Sequence, residues 1–310
     1  MYGQERTNVT KPRERTNRRH SKRIRKKMIT PMSFLFFCLL LIGTVIVTKE
    51  KLKKSIVVKG GVEKAEEIFS EIAIERKEIM PGIGVSNEIQ KMKKKNYPKS
   101  LIKLYKNNSE AREFVLDYEK NMKKEEGNNI KEIDLSDDIS KAGEGNVPLF
   151  VQWDERWGYS KYGDDYMAIT GCGPTSLSMV YCGLTGRNDY TPLEVAKMAD
   201  QGGYYVEGQG SSWEMMTEVA SEMGLEANNI SLDEDCIINS LENDRPIICI
   251  MGPGDFTSCG HFIVLKAIDE EGRVLVNDPN SVKRSSKHWN LEKIMPQIKN
   301  LWSYSYENNF

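Results

Sequence analysis

Histidine is scarce in this chain of 310 residues, which contains only His20, His261 and His288. Because histidine is the usual general base near neutral pH, few positions can take that role. The paired C-x₂₋₄-C or H-x₃₋₅-H spacing of structural zinc sites is also missing. A zinc site made by Cys259 and His261 with Asp278 or His288 stays an alternative, but the missing spacing disfavours it. No metal or cofactor is therefore predicted.

Long apolar runs are equally scarce, and the longest is PMSFLFFCLLLIGTVIVT at residues 31–48, which carries no charge. At about 1.5 Å per residue it extends over roughly 27 Å, close to the hydrocarbon thickness of a bilayer. Eleven Lys and Arg against two Glu precede it in residues 1–28. The positive-inside rule then predicts a cytoplasmic basic tail (1–30), one transmembrane helix (31–48) and an extracytoplasmic remainder.

Two alternatives to this anchor are weaker. A cleaved signal peptide is disfavoured because the basic region is very long and lysines, not a small-x-small site, follow the apolar run. A nucleic-acid-binding arm is disfavoured because the tail adjoins the predicted span, where anionic lipid is the simpler partner. The predicted location is the cell membrane, single-pass, with no nucleic-acid partner.

The cysteines show no framework typical of small disulfide-rich domains. Cys38 lies in the predicted span, which leaves five outside it, an odd number, so at least one is unpaired within a monomer. Whether the others form disulfides is left open for Cys182, Cys236, Cys249 and Cys259.

Composition divides the rest of the chain into three parts. Residues 49–96 are rich in Lys and Glu with apolar residues at helical spacing, which predicts a charged helical stalk, although a disordered tether is an alternative for 49–90. The sequence MPGIG at 80–84 is predicted to end the first helix. Residues 97–146 are predicted as a helical lead-in. Residues 147–310 contain most of the Trp and Gly and are predicted as the main domain.

Within the main domain, helical patterns precede strand patterns. Helices are predicted from Pro174, from a capping box at 191–194, from Ser211 or Ser212 to Met223, and from Ser231 to before Pro246. Strands are predicted at 246–251, 261–268 and 273–277, the last two joined by a DEEG hairpin at 269–272. Helices followed by an antiparallel sheet indicate an α+β fold.

Cys172 is the first candidate for chemistry because it lies in the sequence ITGCGPTSL, just before the predicted helix. A helix N-terminus lowers the pKa of a thiol and favours the nucleophilic thiolate. The flanking Gly171 and Gly173 allow close approach of a substrate backbone. A single free cysteine is more often structural than catalytic, but this setting favours a nucleophile.

The remaining candidates supply the other groups that acyl transfer requires. His261, at the start of an apolar strand, is the predicted base, while His288 lies in a polar loop and is predicted to be solvated. Asp278 is predicted to orient His261, with Asn277 as the alternative, since neighbouring strand residues point in opposite directions. Gln152 is predicted to donate to an oxyanion together with the Cys172 backbone N–H.

Together these elements resemble the papain-like cysteine peptidases akin to the bacteriocin (double-glycine) leader peptidases, notably stand-alone extracytoplasmic members of Gram-positive bacteria. The resemblance rests on VPLFVQWDERWG, ITGCGPTSLSMV, GHFIVLKAI and VLVNDPN over residues 147–310, and YPKSLIKLYKNNSEAREFVLDY resembles a helical lead-in. It implies a papain-like fold in which Cys172, His261, Asp278 and Gln152 are catalytic. No Walker motif accompanies them, so coupled export of a leader peptide is not supported. Cys259 has no counterpart in the family pattern.

The predicted function is therefore a membrane-anchored extracytoplasmic cysteine peptidase that hydrolyses a peptide or protein substrate through a thioester. One alternative is cleavage of cell-wall peptide cross-links, and another is an inactive surface binding domain. Residues 147–310 hold 24 acidic and 12 basic residues, which weakly favours cationic substrates. The Gly- and Tyr-rich segment 201–212 is predicted to form either a lip over the cleft or an ordinary surface loop.

Overall fold

The computed structural model describes residues 81–125, 133–143 and 146–307. The predicted basic tail, the predicted membrane span and the stalk up to residue 80 lie outside these residues. In the described ranges no helix has both the length and the apolar character needed to cross a membrane. The chain from Gly82 onward forms one compact unit.

The helices described before residue 146 belong to the end of the predicted stalk, which contains the first of them, and to the lead-in. They are α1 Pro81–Lys94, α2 Lys99–Asn107, α3 Arg112–Leu116, α4 Tyr118–Glu125 and α5 Ser136–Ser140. Helix α2 buries Leu101 and Tyr105, which are four residues apart and pack in one cluster with Phe114 and Val115 of α3. The helix that the MPGIG segment was predicted to end lies outside the described residues. Helix α1 begins at Pro81, since proline is well tolerated in a first helical turn.

The helices of the main domain surround a sheet. They are α6 Met167–Thr170, α7 Cys172–Thr185, α8 Pro192–Gln201, α9 Met215–Glu222, α10 Glu234–Glu242, α11 Val282–Ser285 and α12 Leu291–Ile294, the last followed by a 3₁₀ turn at Met295–Gln297. The Thr191 side chain accepts the Glu194 N–H, so this half of the predicted capping box is confirmed. The Glu194 carboxylate accepts from Lys197 instead of reaching back to residue 191.

The strands form one large sheet and two small ribbons. The ribbons pair β1 Lys161–Tyr162 with β2 Asp165–Tyr166, and β3 Tyr205–Val206 with β4 Gly210–Ser211. The six sheet strands are β5 Glu226–Asn229, β6 Ile247–Met251, β7 His261–Ile268, β8 Val274–Asn277, β9 His288–Trp289 and β10 Ile298–Ser305. Their order is β5-β10-β6-β7-β8-β9, and every neighbouring pair is antiparallel. The predicted α+β class with an antiparallel sheet is confirmed.

The sheet separates two apolar cores. In β7, Phe262 and Val264 pack in the core that includes helix α7, whereas Ile263 and Leu265 pack in the core that includes helix α10. This alternation explains why β6 and β7 read as nearly continuous apolar runs, since both faces of the sheet are covered. The start of β7, with His261, is thereby fixed beside the helix that begins at Cys172.

Three predicted helix starts differ from the structure. Helix α7 begins at Cys172 rather than Pro174. The N–H groups of a first helical turn have no intrahelical acceptor, so Pro174, which lacks an N–H, is tolerated as the third residue. Helix α9 begins at Met215 rather than Ser211 or Ser212, because Ser211 is paired in β4. Helix α10 begins after Asp233, whose side chain accepts the Cys236 N–H, rather than at Ser231. In the last two cases a tertiary pairing or a neighbouring polar residue outweighs the local signal.

Candidate active site

Cys172 is the first residue of helix α7 and is partly exposed. Gly171 is its N-cap, and the helix contains no acidic residue in its first turn. A Cβ on Gly173 would lie 2.4 Å from Ser211 Oγ, so the β3–β4 ribbon packs directly against the start of this helix. The thiol is therefore held where the helix dipole favours negative charge.

His261 and Asp278 lie beside this thiol. His261, the first residue of β7, is 6% exposed, and its Nε2 is 2.8 Å from Asp278 Oδ1. The Cys172 thiol interacts with the same ring, and each of the two groups shifts the pKa of the other. Because Nε2 is engaged by Asp278, Nδ1 is the ring nitrogen that remains for the sulfur. The structure thus brings together three of the four residues singled out in the sequence.

Cys172 and His261 each stabilise the charged form of the other. Burial opposes a thiolate, but the hydrogen bond and charge of His261, with the backbone N–H groups of Phe262 and Gly173, lower the pKa of Cys172. Burial also opposes an imidazolium, but the Asp278 carboxylate and the Cys172 sulfur raise the pKa of His261. The site therefore favours a thiolate–imidazolium pair.

Asp278 is fully buried and ionised by its partners. Burial would raise its pKa, but the charge and hydrogen bond of His261 and then those of Arg284 hold that pKa below its ordinary value. Arg284 Nε lies 2.5 Å from Asp278 Oδ2, and the Asn280 N–H donates to Oδ1 at 2.8 Å. Arg284 was not identified in the sequence. In the sequence, Arg284 is only a basic residue six positions after Asp278. That spacing does not show that the loop folds back to bring the two side chains together.

Asn277, the alternative orienter, has a different environment. Its Nδ2 donates to the carbonyl oxygens of Val147 and Pro148 at 2.9 and 3.0 Å. It is 2% exposed and anchors the segment that enters the main domain. Of the two neighbours, Asp278 is the one that contacts His261.

Gln152 contacts both the loop that carries Asp278 and the helix that precedes Cys172. Its backbone N–H donates to the Pro279 carbonyl at 2.7 Å, next to Asp278. Its side-chain Nε2 donates to the Ala168 carbonyl at 2.9 Å, in the short helix that precedes Cys172. The side chain is 3% exposed and has one further N–H on Nε2.

The residues of the zinc alternative do not form a metal-binding group in the described residues. Cys259 is exposed, and its backbone N–H donates to Thr257 Oγ1. His288 is exposed on β9 and contacts Asp269. In residues 81–125, 133–143 and 146–307 no group of three His, Cys, Asp or Glu side chains is arranged to hold a metal. All five described cysteines are free thiols: Cys172, Cys182, Cys236, Cys249 and Cys259.

The lead-in contacts the loop that carries Asp278. Asn108 Nδ2 donates to the carbonyl and side-chain oxygens of Asn280, each at 2.9 Å. The Glu110 carboxylate accepts from the Ser281 hydroxyl at 2.5 Å and from the Lys283 N–H at 2.9 Å. Four hydrogen bonds thus connect residues 108–110 to residues 280–283.

Comparison with known proteins gives one family. The model described as the Peptidase_C39 like family matches residues 144–309. No curated protein sequence matches the chain.

Two solved structures show low similarity. One is the peptidase domain of Streptococcus ComA, a bifunctional ABC transporter in a quorum-sensing pathway, at 19% identity and TM-score 0.35, covering 44% of this chain and 93% of that one. The other is a double-glycine-motif protease from an AMS/PCAT transporter in complex with its leader peptide, at 20% identity and TM-score 0.37, covering 54% and 96%.

Proposed function

Because the chain belongs to the Peptidase_C39 like family and is a cysteine peptidase, we propose that it hydrolyses peptide bonds with Cys172 as nucleophile and His261 as base. The observation that carries this proposal is the series formed by the Cys172 thiol, the His261 ring that interacts with it, and Asp278, whose Oδ1 lies 2.8 Å from that ring. Such a series provides an activated nucleophile, a proton carrier and a group that orients the carrier.

In the proposed reaction the Cys172 thiolate attacks the substrate carbonyl carbon, and the carbonyl oxygen gains negative charge. The second N–H of the Gln152 amide and the Cys172 backbone N–H are the proposed donors to that oxygen. The His261 imidazolium then gives its proton to the leaving amine, and a thioester remains on Cys172. His261 next takes a proton from water, whose oxygen attacks the thioester and releases the carboxylic acid, which restores the Cys172 thiolate beside the His261 imidazolium. Asp278 holds the ring throughout.

We further propose that the enzyme is anchored in the cell membrane by residues 31–48, with the peptidase domain on the extracytoplasmic side. The uncharged apolar run and the eleven basic residues before it support this placement. The substrate is then a peptide or protein that reaches the outer face of the membrane.

The experiment compares the full chain with its Cys172→Ala and His288→Ala variants on a proteome-derived peptide library and on purified peptidoglycan. Cys172→Ala is expected to abolish cleavage and iodoacetamide labelling at residue 172, whereas His288→Ala keeps both, because His288 contacts Asp269 rather than the site. Cleavage of peptidoglycan alone would favour the cell-wall alternative. Full activity of Cys172→Ala would contradict the proposal.

A further inference from the structure

A cleft of about 620 Å³ lies between the lead-in and the main domain, within one compact unit. Helix α2 and the residues after it, including Lys103 and Asn107, form one wall. Gln152, Ala168 and Arg284 are on the main-domain side. This volume is in the range of pockets that bind small ligands and short peptide segments.

The cleft lies next to the proposed catalytic residues. Gln152, the proposed oxyanion donor, lines it, as does Arg284, which contacts Asp278. Cys172 and His261 are not among its lining residues. The cleft is therefore placed to receive substrate residues beside the bond that is cleaved, on the Gln152 side, rather than the bond itself.

The lead-in wall is fixed in place. The hydrogen bonds of Asn108 and Glu110 to residues 280–283 join this wall to the loop that carries Asp278. In addition, Ser100 Oγ donates to Asp165 Oδ1 at 2.9 Å across the cleft. Residues 97–110 precede the family match at 144–309, so this wall lies outside the matched domain.

The charges that line the cleft are Lys103, Arg284, Glu110 and Asp165. Arg284 is engaged by Asp278, Glu110 accepts from Ser281 and Lys283, and Asp165 accepts from Ser100. Lys103 is exposed and forms no ion pair with any residue in the described part of the chain. It is the charged lining group that remains available to a ligand, and its natural partner is a carboxylate.

We propose that this cleft is a substrate subsite and that Lys103 selects there for an Asp or Glu side chain. The inference rests on the proposed function, since it names a feature of that enzyme's substrate. The acidic side chain forms an ion pair with Lys103, while polar groups such as Asn107 and Thr257 face the peptide backbone. Lys103 is thus a specificity-determining residue supplied by the lead-in.

The test profiles cleavage of a proteome-derived peptide library by the full chain and three variants: Lys103→Met, Lys103→Glu and Lys106→Glu. Lys106 is the matched control, because it lies on the same helix, carries the same charge, is also exposed, and does not line this cleft but a separate groove that Lys103 also borders. Synthetic peptides then compare Glu with Gln at the selected position.

The wild type and Lys106→Glu are expected to prefer the Glu peptide by about fivefold in kcat/KM, the scale of an exposed ion pair. Lys103→Met should lose this preference and Lys103→Glu should reverse it. If cleavage depends on Cys172 but all variants show the same charge preference, the role of Lys103 would be contradicted while the proposed peptidase function would stand. A wild-type chain that cleaves nothing in the library would contradict the proposed function as well.

Discussion

At the scale of single residues, the state of Cys172 depends on His261. Burial alone raises the pKa of a thiol, as it does for Cys249, whose pKa lies well above its ordinary value. The pKa of Cys172 is lowered instead, because the His261 charge and hydrogen bond outweigh burial. His261→Ala is therefore expected to raise the midpoint of Cys172 alkylation by more than about one pH unit.

The measurement is the rate of iodoacetamide alkylation at residue 172 as a function of pH, with the modified peptides separated by mass spectrometry. Exposed Cys236 in the same sample provides an internal reference for reagent reactivity. His288→Ala is the matched variant and should leave the profile unchanged, since His288 contacts Asp269. Identical profiles for His261→Ala and the wild type would show that the ring does not activate this thiol.

At the scale of elements, the β3–β4 ribbon and helix α7 approach each other at a glycine. A methyl group on Gly173 would lie 2.4 Å from Ser211 Oγ and 2.8 Å from its Cβ, so the ribbon must shift. Gly173→Ala is expected to reduce the free energy of unfolding by about 1–3 kcal/mol, typical of overpacking. It should also lower kcat, because the ribbon packs beside the nucleophile.

Urea unfolding of the two proteins measures this effect. Gly84→Ala is the control, because Gly84 is also helical but a Cβ there has nothing within 4 Å. That variant is expected to be neutral or up to about 1 kcal/mol more stable, from helix propensity alone. Equal unfolding midpoints for Gly173→Ala and the wild type would mean that the ribbon is not tightly packed against α7.

The elements that carry the site were largely predictable, and those that complete the sheet were not. Strand β7 was predicted with its observed bounds because His261–Ile268 is a long apolar run that a turn signal follows. Strand β5 was missed because Glu226–Asn229 is polar and mostly exposed. Strand β10 was missed because its place between β5 and β6 depends on contacts distant in sequence. Arg284 was not predicted as part of the site for a similar reason, because only the folded loop brings it to Asp278.

At the scale of the whole molecule, average charge and local charge differ. The main domain holds 24 acidic and 12 basic residues, which on its own favours cationic substrates. Its cleft nevertheless presents Lys103 from the lead-in as the unengaged charge. At physiological salt, charges more than about 8 Å apart are largely screened, so the nearest groups determine which side chain is bound. The lead-in can therefore give the site a preference opposite to that of the domain that contains it.

The proposed membrane anchor predicts which cysteines are accessible from outside an intact cell. Cys236 and Cys259 are exposed thiols of the main domain, whereas Cys182 and Cys249 are buried. If residues 31–48 span the membrane with the basic tail inside, a membrane-impermeant maleimide should label Cys236 and Cys259 equally in intact and lysed cells. The buried pair should react only after denaturation. A Cys172→Ala, Cys236→Ala, Cys259→Ala triple variant gives the background, because Cys172 is also a partly exposed free thiol.

Fractionation of the same cells tests the anchor itself. The full chain should stay with the membranes after alkaline carbonate washing, and a chain lacking residues 1–48 should not, because it loses the apolar run that supplies the binding energy. Detection of residues 1–30 on the membrane-bound protein would separate an uncleaved anchor from a cleaved signal peptide. Labelling of Cys236 and Cys259 only after lysis would place the peptidase domain in the cytoplasm and contradict the proposed orientation, whatever the outcome of the washing.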